Sequence, residues 1–128
     1  MQPVYLRIPK ISIMAIDLTK SVEIIESMEN YLARARPPVE IRHEVDIGYE
    51  IDGQSVILYE IRPVWYNPSQ YENITYAKTT FVKKRNVWKV FWKRADLKWH
   101  SYKPRPTVRH LKDFLNLVDE DQYGCFRG

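Results

Sequence analysis

The sequence predicts an α+β domain: an N-terminal helix, an antiparallel β-meander of about five strands, and a C-terminal helix packed on the sheet. Three observations predict it. Apolar residues between Leu18 and Ala35 recur at three- and four-residue spacing. From His43 to Tyr102 the spacing changes to alternation, interrupted by turn signals. After Pro106 helical spacing returns through Val108, Leu111, Phe114, Leu115 and Val118.

At 128 residues the chain is long enough to bury a core without staples. The expected division is an extended arm over 1–16 and one domain over 17–128. A hydrophobic content of 45% argues against disorder. The one cysteine, Cys125, allows no internal disulfide, which fits a reducing, cytoplasmic compartment. No apolar run is long enough to span a bilayer, so no membrane association is expected. Ile11 to Ile16 is too short for a signal-peptide core. Asn73-Ile74-Thr75 matches a glycosylation sequon, but no secretory signal accompanies it.

Taken in order, Met1 to Ile16 alternates loosely and is broken by Pro3 and Pro9, as expected of an extended arm or edge strand. In the first helix Val22, Ile25, Met28 and Leu32 form the predicted stripe, widened by Ile24 and Tyr31. Arg34 and Arg36 suit the negative end of its dipole, and Pro37-Pro38 stops it.

His43 to Arg62 reads as a hairpin turning at Asp52-Gly53, a dipeptide suited to positive φ. That turn predicts Tyr49 opposite Val56 and Ile47 opposite Leu58. It also puts Glu60 and Arg62 on the apolar face, where a carboxylate needs a partner. Pro63 to Asn73 is expected to be a connection. Its Trp65, Tyr66 and Tyr71 either pack down on the body or form a lid over a pocket.

A second hairpin is predicted from Ile74 to Lys93 around Arg85-Asn86. A two-residue loop there would pair Phe81 with Val90 and Thr79 with Trp92. Lys78, Thr80, Val82, Lys84, Lys89, Phe91 and Lys93 then share the other face. Leu97 to Tyr102 is a short last strand. Thr107 is the expected N-cap of a helix reaching Val118, and Tyr123, Cys125 and Phe126 are expected to tuck into the body.

Charge singles out one stretch. Lys78 to Arg105 holds ten Lys or Arg against Asp96 alone, with six aromatics interleaved. Lysines neutralise phosphates and aromatic rings stack on unpaired bases, so Lys78, Lys84, Lys89 and Lys93 with Phe91 make a candidate nucleic-acid surface. The bland reading is a solvated face balanced by Pro37 to Ala77, which has seven acids against two bases.

A second constellation is Asp52, Glu60 and Arg62. An acid followed two residues later by a base, with another acid upstream, resembles a Mg-dependent nuclease core. Arg62 stands where such enzymes use Lys, and Arg does not deprotonate. The alternative is a structural ion pair. His43, His100 and His110 make no metal-ligand spacing with Cys125. His100 could serve as an acid or base. No Gly-rich phosphate loop occurs, and no cofactor is expected. A third class is an interaction module that forms a homodimer or adds a partner strand.

The segments IGYEIDGQSV, LYEIRPVW, VWKVFWKRADLKWHSY and VDEDQYGCF together resemble a small bacterial family catalogued as domain of unknown function 3024. The likeness covers about Leu18 to Gly128. It implies a bacterial-type domain and carries no activity with it.

Overall fold

The computed structural model describes residues 9–12 and 18–128. Helix α1 spans Leu18–Ala35, the bounds its periodicity predicts. Ser21, Ile24, Met28, Tyr31 and Leu32 are its buried residues. Val22, placed in the stripe by spacing, is instead 54% exposed. Six apolar residues cover so much of this helix that spacing alone does not choose the inward line. Contact with the sheet chooses it.

Beyond Pro37-Pro38 a short 3-10 turn, Val39–Ile41, leads into the sheet. Strand β1, Ile11–Ser12, pairs in parallel with β2, Asp46–Asp52. The predicted arm is therefore an edge strand over these two residues. Most of the rest of 1–16 lies outside the described residues. The remaining strands are β3 (Ser55–Val64), β4 (Asn67–Val82), β5 (Val87–Lys93), β6 (Trp99–Ser101) and β7 (Thr107–Val108), followed by helix α2, Leu111–Glu120. Strand order is sequential from β1 to β6, and β7 adds to β5. All pairs other than β1–β2 are antiparallel.

Both hairpin registers differ from the expected ones by two residues. Tyr49 faces Leu58 and Ile47 faces Glu60. The two-residue turn is Gly53-Gln54, not Asp52-Gly53, with Gly53 at φ 60°. Glycine at the first central position is what a type II′ turn requires. In the second hairpin Phe81 faces Trp88 and Thr79 faces Val90. A four-residue loop, 83–86, replaces the two-residue one, with Asn86 at φ 51°. A two-residue shift preserves every face assignment, because side chains alternate with period two.

The stretch Pro63 to Asn73 is not a connection. Strands β3 and β4 run on through it as a long ribbon that turns at Trp65-Tyr66. These two rings pack edge to face at 5.4 Å and stand 89% and 71% exposed, so they neither pack down nor cover a pocket. Alternation was hidden here by Pro63, Asn67 and Pro68, which read as turn signals but are tolerated in a peripheral ribbon. Thr107 does not cap α2. It pairs with Lys89 in β7, and His110 is the N-cap.

One face of the sheet carries both helices. Ile47, Tyr49, Ile51, Val56, Leu58, Ala77, Trp88 and Val90 meet α1 and α2 there. Phe126 joins that core against Tyr102, ring centroids 4.9 Å apart, while Cys125 is half-buried and Tyr123 stays 60% exposed. An extra residue, Tyr76, bulges between Ala77, which faces Leu58, and Thr75, which faces Tyr59. The bulge sends both Tyr76 and Ala77 to the helix side. On the other face Tyr59 lies across Gly48. A Cβ at Gly48 would come within 2.7 Å of the Tyr59 ring.

The end of α1 is fixed to the sheet by a buried ion pair. Arg36 donates to both oxygens of Asp46, at 3.0 and 2.6 Å, and the Ile47 N–H donates to Asp46 Oδ1 at 2.8 Å. Asp46 is fully buried, and the pair with its backbone donor meets the needs of a charge removed from water.

Candidate functional site

On the face that carries no helix, the open face, strands β4 and β5 bring Lys78, Lys89, Lys93 and Phe91 to one side, as the alternation predicts. Lys89 is exposed, Lys78, Lys93 and Phe91 are half-buried, and Ile57, Tyr59 and Ile61 of β3 on that face are buried. Lys78 faces Phe91 and Lys89 faces Thr80 across the ladder. Lys84 lies apart from them, exposed in the loop 83–86. Trp99 of β6 faces Lys93 and joins the set. The Lys78 Nζ sits 5.4 Å from the Phe91 ring centroid and 5.7 Å from that of Trp99. The Lys93 Nζ lies 5.0 Å from the Trp99 centroid and donates to Thr75 Oγ1 at 2.5 Å. None of Lys78, Lys84, Lys89 and Lys93 pairs with a carboxylate among the described residues. The ammonium groups of Lys78 and Lys93 rest on aromatic faces, an attraction worth about 0.5–1 kcal/mol at exposed sites.

Sequence reading missed Trp99 and Thr75 as members of this face. Trp99 has the right alternation, but its register with β5 depends on the turn at 94–98. There Leu97 takes φ 62°, and Asp96 accepts the Lys98 N–H at 2.9 Å.

The second cluster lies on the helix-covered side, at the far end of the core. Glu60 does fall on the apolar face. Its Oε2 accepts from Arg62 at 3.1 Å and from Arg127 at 2.9 Å. Burial pushes the Glu60 carboxyl up, but the hydrogen bonds from Arg127 and Arg62 outweigh it and hold the carboxyl below its usual range. Beside it Tyr31 donates to Asp119 Oδ1 at 2.7 Å, and Arg34 reaches Asp119 Oδ2 at 3.3 Å. Arg127 also lies over the Tyr76 ring, 5.4 Å from its centroid. The Tyr76 hydroxyl is buried with no hydrogen-bond partner among the described residues, and burial pushes it up to about 12. Burial and the bond to Asp119 raise Tyr31 further.

Arg127 is held by a loop that Asp121 organises. Asp121 ends α2 at φ 40°, and its carboxylate accepts the N–H groups of Phe126, Arg127 and Gly128 at 2.8–3.0 Å. No sequence pattern pointed to Arg127 as the partner of Glu60, because the tail lacks periodicity.

Asp52 does not join Glu60. It faces Ser55 at the β2–β3 turn, five residues before Glu60 along β3, which at ~3.4 Å per residue is about 17 Å. No group of three or more His, Cys, Asp or Glu that could hold a metal occurs among the described residues. His100 meets Asp96 at 2.8 Å, and the Lys98 N–H together with His100 holds Asp96 below its usual range. Burial raises the Cys125 thiol. Among the described residues no helix is long and apolar enough to cross a membrane.

The chain belongs to the family described as domain of unknown function DUF3024, whose model matches residues 16–128. No curated protein matches the chain, and neither does any solved structure.

Proposed function

We propose that the protein is a non-catalytic nucleic-acid-binding module that uses the open face of its sheet. The observation carrying this reading is that Lys78, Lys89 and Lys93 share that face with Phe91 and Trp99 and have no carboxylate partners among the described residues. A solvated face balanced by neighbours would show those lysines tied to the acids of β2 and β3. Instead, of the β2 acids on that face, Asp46 is held by Arg36, and Glu50 and Asp52 pair with no lysine among the described residues. In the bound state the Lys78 and Lys93 ammonium groups leave their rings for phosphates, Lys89 meets a phosphate directly, and the rings become available to an unpaired base. The exchange gives up only a weak attraction and gains counterion release and stacking. Single strands are therefore the preferred ligand, and Lys84 in the loop extends the cationic patch. We take 17–128 as the binding domain of a bacterial-type, cytoplasmic protein, with 1–16 an arm that lends the edge strand Ile11–Ser12 to its sheet.

Fluorescence anisotropy with labelled single-stranded and duplex oligonucleotides tests this at rising salt. Single strands should bind more tightly, with log K falling linearly against log salt. Absence of binding at low salt, or binding indifferent to salt, overturns the reading. Light scattering on the same samples separates it from a homodimer that offers the face to a second copy.

A further inference from the structure

We infer that a second ligand site lies on the opposite, helix-covered side, and that it takes a small aromatic anion. A cavity of about 400 Å³ opens where α1, the β4–β5 loop and the start of α2 converge. This is within the usual range for small-molecule sites. Three elements build it. On α1, Lys20, Glu23, Ile24 and Ser27 follow one another at helical spacing and so line one stripe. Trp88 of β5 and Leu111 of α2 close the inner wall with Ile24, and all three are at most 8% exposed. Arg109 and Lys112 stand at the mouth.

The lining has two chemistries. The inner wall is apolar and carries a large ring. The rim is rich in donors and positive, with Arg109 and Lys112 beside the already engaged Lys20, and Glu23 is the one carboxylate among the described lining residues. Arg109 and Lys112 form no ion pair among the described residues. Lys20 is held at the wall, its Nζ 4.5 Å from the Phe81 centroid and 5.7 Å from that of Trp88. The helix dipole at the start of α2 adds little to this positive rim, since the Asp113 carboxylate already sits there and accepts the His110 N–H at 3.1 Å. A ligand matching both chemistries has a flat apolar body and a phosphate, sulfonate or carboxylate head.

The site shares no residue with the open face of the sheet and does not depend on nucleic-acid binding. Titration with 8-anilinonaphthalene-1-sulfonate tests it, because that probe combines an aromatic body with an anionic head. We expect saturable binding at one site per chain, competed by adenosine monophosphate and not by adenosine. The double variant Arg109→Ala/Lys112→Ala should weaken the probe at least tenfold, and Ser27→Trp should block it by filling the cavity. All three positions are exposed, so the fold tolerates these changes. Lys78→Ala/Lys93→Ala should leave the probe unaffected. Non-saturable binding, or affinity unchanged in both Arg109→Ala/Lys112→Ala and Ser27→Trp, overturns the inference. Loss of the probe in Lys78→Ala/Lys93→Ala, with Arg109→Ala/Lys112→Ala unaffected, moves the anion to the other face and overturns it too.

Discussion

The two charged regions of this sheet handle their cations in opposite ways. Around Glu60 every arginine has a carboxylate: Arg62 and Arg127 share Glu60, and Arg34 meets Asp119. On the open face Lys78 and Lys93 have aromatic rings in that place, and Lys89 has no carboxylate partner among the described residues. The first arrangement is satisfied within the molecule, and adding a ligand means breaking bonds already made. The second leaves net charge for a partner. Stability and binding should therefore separate: changes in paired charges lower stability, and changes in the lysines alter association.

The contrast is sharpest at the buried extreme of pairing. Asp46→Ala should cost about 3 kcal/mol in urea denaturation, because it strands the Arg36 guanidinium against a fully buried position. A loss below about 1 kcal/mol would class this pair with ordinary surface bridges.

Glu60→Gln comes next, at about 1 kcal/mol after allowance for the solvent that reaches both guanidinium groups. Its sign follows from the lowered carboxyl. A group depressed in the folded state contributes above its unfolded value, and the contribution is lost as pH falls through the folded one. The gap between wild type and Glu60→Gln should thus be full near neutrality and close below about pH 4. A gap independent of pH would mean that Glu60 acts by packing and not by charge.

Tyr76→Phe reverses the direction. It removes a buried hydroxyl that has no partner among the described residues, so stability at neutral pH should rise by up to about 1 kcal/mol. Because burial raises the phenol to about 12, the wild type loses stability as pH climbs from 10.0 toward 12. Thermal melts across that range should show a shallower decline in Tyr76→Phe. Destabilisation at neutral pH would reveal a partner for the hydroxyl.

Smallest in stability is Lys78→Ala/Lys93→Ala, expected within about 1 kcal/mol of wild type, since only cation–ring attractions and one hydrogen bond to Thr75 go. The same variant should bind single strands more weakly and lower the salt slope by about 1.4, or ~0.7 for each phosphate no longer neutralised. Unchanged binding with unchanged slope would assign the lysines to the solvated class after all.

Most of this contrast could be read from the residues. Alternation put Lys78, Lys89, Lys93 and Phe91 on one side and Glu60 with Arg62 on the other, and both survived mistaken turn positions because each register error was two residues. The bounds of α1 followed from its spacing and from Pro37-Pro38. What stayed hidden depends on packing between residues distant in sequence. Arg127 reaches Glu60 only because Asp121 folds the tail back, and Val22 faces outward only because the sheet selects Ile24 and Met28. The β3–β4 ribbon went unseen because prolines tolerated in a peripheral ribbon resemble turn signals.

The bulge at Tyr76 has an evolutionary corollary. Removing that one residue would leave an uninterrupted ladder with Thr75 and its predecessors on their present sides. The ring under Arg127 is thus supplied by the bulge residue itself, which is also part of the core. A chain shortened by one at this point would keep its strand faces in step, but it would lose a buried ring from the core together with the aromatic seat beneath the guanidinium.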